Sequence, residues 1–263
     1  MGTLKKYKKF FEGVQMADRV NGKAFETVQR EIFSMYSDHT LQPGDCVYET
    51  TLSEKLGLSR TPVRDALGRL VANGFLEQHP GKRGYMMPKL ASDDMHDAFE
   101  ARECLDGKIG WLAAEKATSR DLQMLTEINR REARLLAEYK GMVDEMDYMQ
   151  ANNEFHLGLA HIAGNIFIER AYEPVYWRTQ LYVYYLGPFI EEEKKLFKME
   201  EYSSDTPHEH AGIIEAIEKR DAAEAAKRCR EHIHSTFTYR LSKQYGSRPE
   251  LFERLLAAKG LNK

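Results

Sequence analysis

Apolar positions recur at helical spacing over most of this chain, and the spacing breaks at turns rich in Gly and Pro. From Phe25 to Tyr36, the side chains of Val28, Ile32, Phe33 and Tyr36 share a face and predict a first helix. Leu41-Gln42-Pro43-Gly44 reads as a turn, because Pro presets one torsion and Gly accepts positive φ. A short extended piece at Val47–Tyr48 follows, then a second helix over about 51–56 that buries Leu52 and Leu56 and stops at Gly57. A third helix should run from Arg60 to Asn73. Ser59 can cap it, Pro62 is tolerated in its first turn, and Gly74 supplies a left-handed exit. Val63, Leu67, Leu70 and Val71 form its buried stripe, which leaves Arg60 and Arg64 one turn apart on the outer face.

Beyond Gly74, Phe75–Gln78 and Tyr85–Met87 read as two strands around His79-Pro80-Gly81-Lys82-Arg83-Gly84, a turn-rich loop with two cations at its tip. Two helices joined by a tight Gly-containing turn, followed by such a hairpin, make a winged helix-turn-helix with a small β wing. Pro88 ends the last strand, and Ser92 or Asp93 can cap a new helix. From there strand signals vanish. Amphipathic stretches at about 93–117, 119–139, 141–163, 166–188, 206–219 and 221–244 predict an all-α helical bundle. The fold class is therefore mainly α. Three parts are expected: a DNA-binding domain over 1–90 with an N-terminal extension, a helical domain over 93–245, and a tail helix over 246–263. That tail carries Leu251, Phe252, Leu255 and Leu256 on one side and either docks on its own chain or covers a partner subunit.

Charge sharpens the division. Residues 1–90 hold 14 Lys and Arg against 10 Asp and Glu, whereas the remainder holds 24 against 31, within an overall net charge of -3. A basic front on an acidic rear suits a nucleic-acid module joined to something else. The opening Lys5-Lys6-Tyr7-Lys8-Lys9 is either an arm on DNA or a solvated terminus. Three well-separated cysteines, Cys46, Cys104 and Cys229, argue against a disulfide framework or a zinc ribbon. With no bilayer-length apolar run and no signal-peptide core, the expected compartment is the cytoplasm, with no membrane partner.

Two groups of residues carry chemistry. Arg60 and Arg64 project from a helix N-terminus whose free amides and dipole favour phosphate, and their forked donors match guanine edges. In the helical part, Asn152 and His156 lie four apart on one face, and His210 and His232 occupy later helices. Brought together, three imidazoles and an amide oxygen would form a mixed nitrogen and oxygen site for Zn(II), Ni(II) or Mn(II). Taken singly, each histidine reads more readily as a satisfied or solvated side chain than as a metal ligand. The aromatic run Tyr172, Tyr176, Trp177, Tyr182, Tyr184 and Tyr185 reads as core, while Arg178 within it could hold a second anionic group.

The order of helix, Pro-Gly turn, helix, Leu-Gly-Leu-Ser-Arg-Thr-Pro-Val-Arg-Asp-Ala-Leu, Gly-Phe-Leu and basic wing closely resembles the GntR family of bacterial transcription regulators over about 24–90. The resemblance implies operator contacts by Arg60, Thr61 and Arg64 and by the wing residues His79, Gly81, Lys82 and Arg83. Asn152-x-x-Phe155-His156, His210-x-x-Ile213-x-x-Ala216-Ile217 and Ala225-Ala226-x-x-Cys229-x-x-His232 resemble the FCD ligand-binding domain of the FadR subfamily over about 93–240. Arg102-x-x-Leu105-Asp106 and Gly164-Asn165 fit the same pattern. This second resemblance implies a divalent metal held by Asn152, His156, His210 and His232, and a small carboxylate effector met by Arg102, whose alternative role is an i,i+4 ion pair with Asp106; Asn152 and Arg178 are the other effector candidates. The chain departs from its relatives at Thr50, where an Arg is frequent, and at Asn152, where an Asp is usual.

The expectation is a ligand-responsive homodimeric regulator, a repressor rather than an activator, bound to an inverted-repeat operator. Its rivals are a DNA-binding scaffold without an effector and a metal-dependent hydrolytic enzyme.

Overall fold

The computed structural model describes residues 19–81, 83–138, 142–186 and 206–236. They fall into two compact units, divided between Lys89 and Leu90. The lysine-rich opening, Lys82 and the expected tail helix over 246–263 lie outside the described residues.

The first unit comprises α1 (Arg19–Ser37), β1 (Cys46–Val47), α2 (Glu49–Leu56), α3 (Arg60–Ala72), β2 (Glu77–Gln78) and β3 (Tyr85–Met86). Helix α1 begins at Arg19, ahead of the apolar period that starts at Phe25. Val28, Ile32, Phe33 and Tyr36 are buried, and the ring of Phe33 lies 4.4 Å from that of Phe75. Against this face pack Val63, Leu67 and Leu70 of α3. Ala66 is the fourth buried residue of that stripe; Val71, expected there, is only half-buried, being rotated about 100° from Leu70. Leu56 is likewise half-buried, at the fraying end of α2.

The turns behave as their residues require. Asp45 N–H donates to the Gln42 carbonyl at 3.0 Å across Pro43-Gly44, with Gly44 at φ 86°. Gly57 and Gly74 close α2 and α3 at φ 63° and 78°. Ser59 has the extended backbone of a cap, but its hydroxyl makes no capping hydrogen bond. The three strands form an antiparallel sheet in the order β1-β3-β2, pairing Cys46 and Glu77 with Met86, and Val47 and Gln78 with Tyr85.

The second unit comprises α4 (Ser92–Lys116), α5 (Ser119–Ala137), α6 (Met142–Ile162), α7 (Ile166–Leu186), α8 (Thr206–Glu218) and α9 (Ala222–Ser235). Helix α4 is the axis against which α6, α7, α8 and α9 pack, and α5 packs on α6 and α8. The approach of α9 depends on Gly110, where a Cβ would lie 2.6 Å from Cys229 Sγ and 2.7 Å from the Ala225 carbonyl oxygen. Local signals place the ends. Thr118 and Asp121 form a reciprocal capping box, Asp221 accepts the Glu224 amide, and Asn165 accepts the amides of Phe167 and Ile168 after Gly164 at φ 59°. Helix α4 starts instead from an uncapped Ala91, whose amide and carbonyl both meet the Tyr182 hydroxyl, at 3.2 and 2.9 Å. The aromatic run on α7 is buried core, as expected. Among the described residues, no helix is long and apolar enough to cross a membrane.

Candidate metal centre and nucleic-acid interface

The N-terminal turn of α3 presents Arg60, Thr61 and Arg64, all exposed. Arg64 Nε donates to both carboxylate oxygens of Glu49, at 3.1 Å each, so the first residue of α2 aims an arginine of α3. That hydrogen bond and the Glu49 charge push the guanidinium above its ordinary value. The wing closes through the His79 amide donating to the Gly84 carbonyl at 3.1 Å, and the Gly81 amide donating to His79 Nδ1 at 3.1 Å. Gly81 and Arg83 are exposed at its tip. Tyr85 of β3 reaches the Arg64 carbonyl at 3.5 Å and so ties the wing to α3. Forked cations, free amides and a helix dipole on one face are the groups that position phosphates and read base edges.

Within the second unit, α6, α8 and α9 bring His156, His210 and His232 together. One nitrogen from each lies within 4.8 Å of the others, and all three residues are buried. His210 Nδ1 stands 2.7 Å from Glu132 Oε2, and His232 Nδ1 stands 2.6 Å from Glu209 Oε2. A carboxylate only accepts, so in both rings Nδ1 carries the hydrogen, and a neutral ring then keeps its lone pair on Nε2. His210 Nε2 is buried without a hydrogen-bond partner among the described residues. His232 Nε2 lies 3.3 Å from His156 Nε2. Such convergent lone pairs repel unless a proton or a cation sits between them, so the donor set fits a divalent cation. Phe155 stacks on His210 with ring centres 3.7 Å apart and holds its plane.

Residues 25–85 match the gntR family of bacterial regulatory proteins, and residues 97–235 match the FCD domain. The chain belongs to the GntR family and carries an FCD domain. It is a DNA-binding transcription regulator that responds to a ligand. The Uxu operon regulator of Haemophilus influenzae is 28% identical over 197 residues, which cover 71% of this chain and 70% of that protein. The transcriptional repressor NanR of Cronobacter sakazakii is 25% identical over 237 residues, covering 82% and 84%. The structure of McbR/YncC from E. coli superposes with a TM-score of 0.61 at 21% identity, covering 84% of this chain and 98% of that one, and shares the fold.

In this GntR-family regulator the other effector candidates have protein partners. Arg102 is buried; its Nε donates to Asp106 Oδ2 at 3.1 Å and its Nη1 to Thr179 Oγ1 at 2.8 Å. The i,i+4 ion pair is thus formed. Burial opposes the charge on Arg102, but Tyr172 and Asp106 outweigh it and hold the guanidinium above its ordinary value. Burial also pushes Asp106 up, yet two donors, Arg102 Nε at 3.1 Å and the Tyr172 hydroxyl at 2.9 Å, favour the ionised pair. Arg178 donates to Asp94 Oδ2 at 2.6 Å, in the first turn of α4, and does not join the histidines. Tyr176 connects the groups, its ring 5.7 Å from that of His156 and 4.7 Å from the Arg102 guanidinium carbon. Asn152 is half-buried and donates from Nδ2 to Glu132 Oε1 at 2.9 Å.

Sequence reasoning missed Glu132, Glu209 and Asn153. Asn153 Oδ1 accepts the hydroxyls of Tyr176 and Tyr184 at 2.6 and 2.7 Å. Glu132 did leave a signal: it continues the buried stripe Asp121, Leu125, Ile128 of α5, where a carboxylate has no reason to be unless something pairs with it. His208 and His234 stand apart from the cluster, and both are exposed.

Proposed function

We propose that this regulator acts as a homodimeric repressor whose FCD domain senses a small carboxylate through a divalent metal. Arg60, Thr61 and Arg64 of α3, with His79, Gly81, Lys82 and Arg83 of the wing, contact each half-site of an inverted-repeat operator. His156, His210 and His232 hold the metal, with the Asn152 amide oxygen as fourth donor. The single observation that supports the centre is the convergence of three buried imidazoles from three helices within 4.8 Å. Bound there, Zn(II), Ni(II) or Mn(II) supplies a Lewis-acid contact for a chelating hydroxy, keto or sugar acid. The chain's own residues exclude water and fix the donors: Phe155 stacks on His210, and Tyr176 lies between His156 and Arg102.

Arg102 and Arg178 are the cationic contacts of the effector, which meets them by displacing part of their present pairing with Asp106 and Asp94. The repressor reading is supported by relatives named as repressors, among them NanR of Cronobacter sakazakii and the probable D-xylose utilization repressor of Paenarthrobacter nicotinovorans. Sensing is favoured over turnover because the carboxylates beside the histidines are engaged with ring nitrogens. An effector changes operator affinity only as far as it prefers one arrangement of the dimer.

Elemental analysis of untagged protein tests the centre. About one metal per chain, lost in His156→Ala and in His232→Ala, is the expected result. No metal after supply of Zn(II), Ni(II) and Mn(II) would reject the centre. Operator binding with and without candidate acids then separates a sensor from a scaffold, which gives no saturable response.

A further inference from the structure

Glu132 is fully buried, and both of its oxygens are used. Oε2 takes the hydrogen of His210 Nδ1 at 2.7 Å, and Oε1 takes a hydrogen of Asn152 Nδ2 at 2.9 Å. The first contact leaves His210 Nε2 as the inward lone pair; the second turns the amide so that its oxygen, not its nitrogen, is the free end. An ion this deep in a bundle is stabilised only by charge or by strong donors. Its counter-charge belongs at the cluster of imidazoles to which His210 contributes, as a proton on a ring or as a bound cation.

We infer that Glu132 is the positioning residue of the centre: it fixes the tautomer of His210 and the orientation of Asn152 together, and it supplies the negative charge that three imidazoles and an amide lack. This rests on the metal centre proposed above. The charge lies one bond network away from the donors rather than among them, so the ligand set stays neutral while the site as a whole does not.

The arrangement is reciprocal and therefore testable by exchange. In Glu132→Gln, the amide accepts from only one partner. Either His210 takes the other tautomer and loses its inward lone pair, or Asn152 turns its nitrogen inward. In Asn152→Asp, two carboxylates face each other across the contact that Asn152 now bridges. In the double variant, the amide introduced on α5 donates to the carboxylate introduced on α6 and accepts from His210, so the network closes again with the charge relocated.

The experiment is Zn(II) titration, against a competing chelator, of full-length protein stripped of metal, with folding checked by circular dichroism. Each single variant should weaken Zn(II) binding by roughly 10- to 100-fold, and the double variant should return to within about threefold of the parent. Overturning results are Zn(II) binding in Glu132→Gln within about threefold of the parent, or losses that simply multiply in the double variant. If Glu132→Gln does not fold, Asn152→Asp decides alone: weaker binding supports the inference, and tighter binding overturns it. If the parent itself takes up no Zn(II), the metal reading fails. The positioning role is then read from ¹⁵N NMR of the His210 ring, which should show hydrogen on Nδ1 in the parent and on Nε2 in Glu132→Gln. An unchanged tautomer overturns it.

Discussion

The two sites proposed for this regulator are built in opposite ways. The α3 face puts Arg60, Thr61 and Arg64 within five consecutive residues, exposed, with Glu49 brought from another helix to aim one of them. The centre of the bundle draws Glu132, His156, His210 and His232, all buried, together with the half-buried Asn152 and Glu209, from four helices. A surface that reads DNA can be made by local sequence because water solvates its charges until the duplex arrives. A buried polar centre cannot, since every donor and acceptor must find a partner at once. The contrast teaches where each surface is fragile: the first in its contacts, the second in its assembly.

That contrast sets the order of the expected effects. The largest is His210→Ala, which removes an inward nitrogen and the partner of Glu132; bound metal should fall below detection by elemental analysis, while operator binding without effector persists. Arg64→Ala comes next. Specific operator affinity should drop on the order of tenfold to a hundredfold in a gel-shift titration, with the thermal midpoint unchanged because the side chain is exposed. An unchanged affinity would remove Arg64 from the reading of bases. Gly110→Ala drives a methyl group into Cys229 and the Ala225 carbonyl, and should destabilise the bundle by about 1–3 kcal/mol in urea unfolding. Were its stability unaltered, the close α4–α9 approach would be without consequence. The smallest effect is Glu49→Gln: loss of the charge that aims Arg64 should lower the ratio of specific to non-specific DNA affinity by only a few-fold.

Most of the first unit was legible in the chain. Gly44, Gly57 and Gly74 adopt the positive φ their turns require, and Val28, Ile32, Phe33 and Tyr36 share the buried face their spacing predicts. The misjudged positions lie at edges, where Val71 and Leu56 are only half-buried and Ser59 does not use its hydroxyl. The histidines were legible as types on helical faces, and the aromatic run of α7 as core. Their partners were not. Nothing in the spacing from Glu132 to His210, or from Asn153 to Tyr176 and Tyr184, marks a contact, because helix periodicity orders neighbours within a helix and is silent between helices.

By itself the sequence determined the helices, their turns, the exposed arginines of α3 and the family, since each depends on residues close together in the chain. Only the tertiary structure decided that Arg102 is tied to Asp106 and Thr179, that Arg178 answers to Asp94, and that Asn152 turns its nitrogen to Glu132. Those choices follow from how α4, α5, α6 and α7 pack. Burial strips away water, and each polar group is left with whichever partner the neighbouring helix presents.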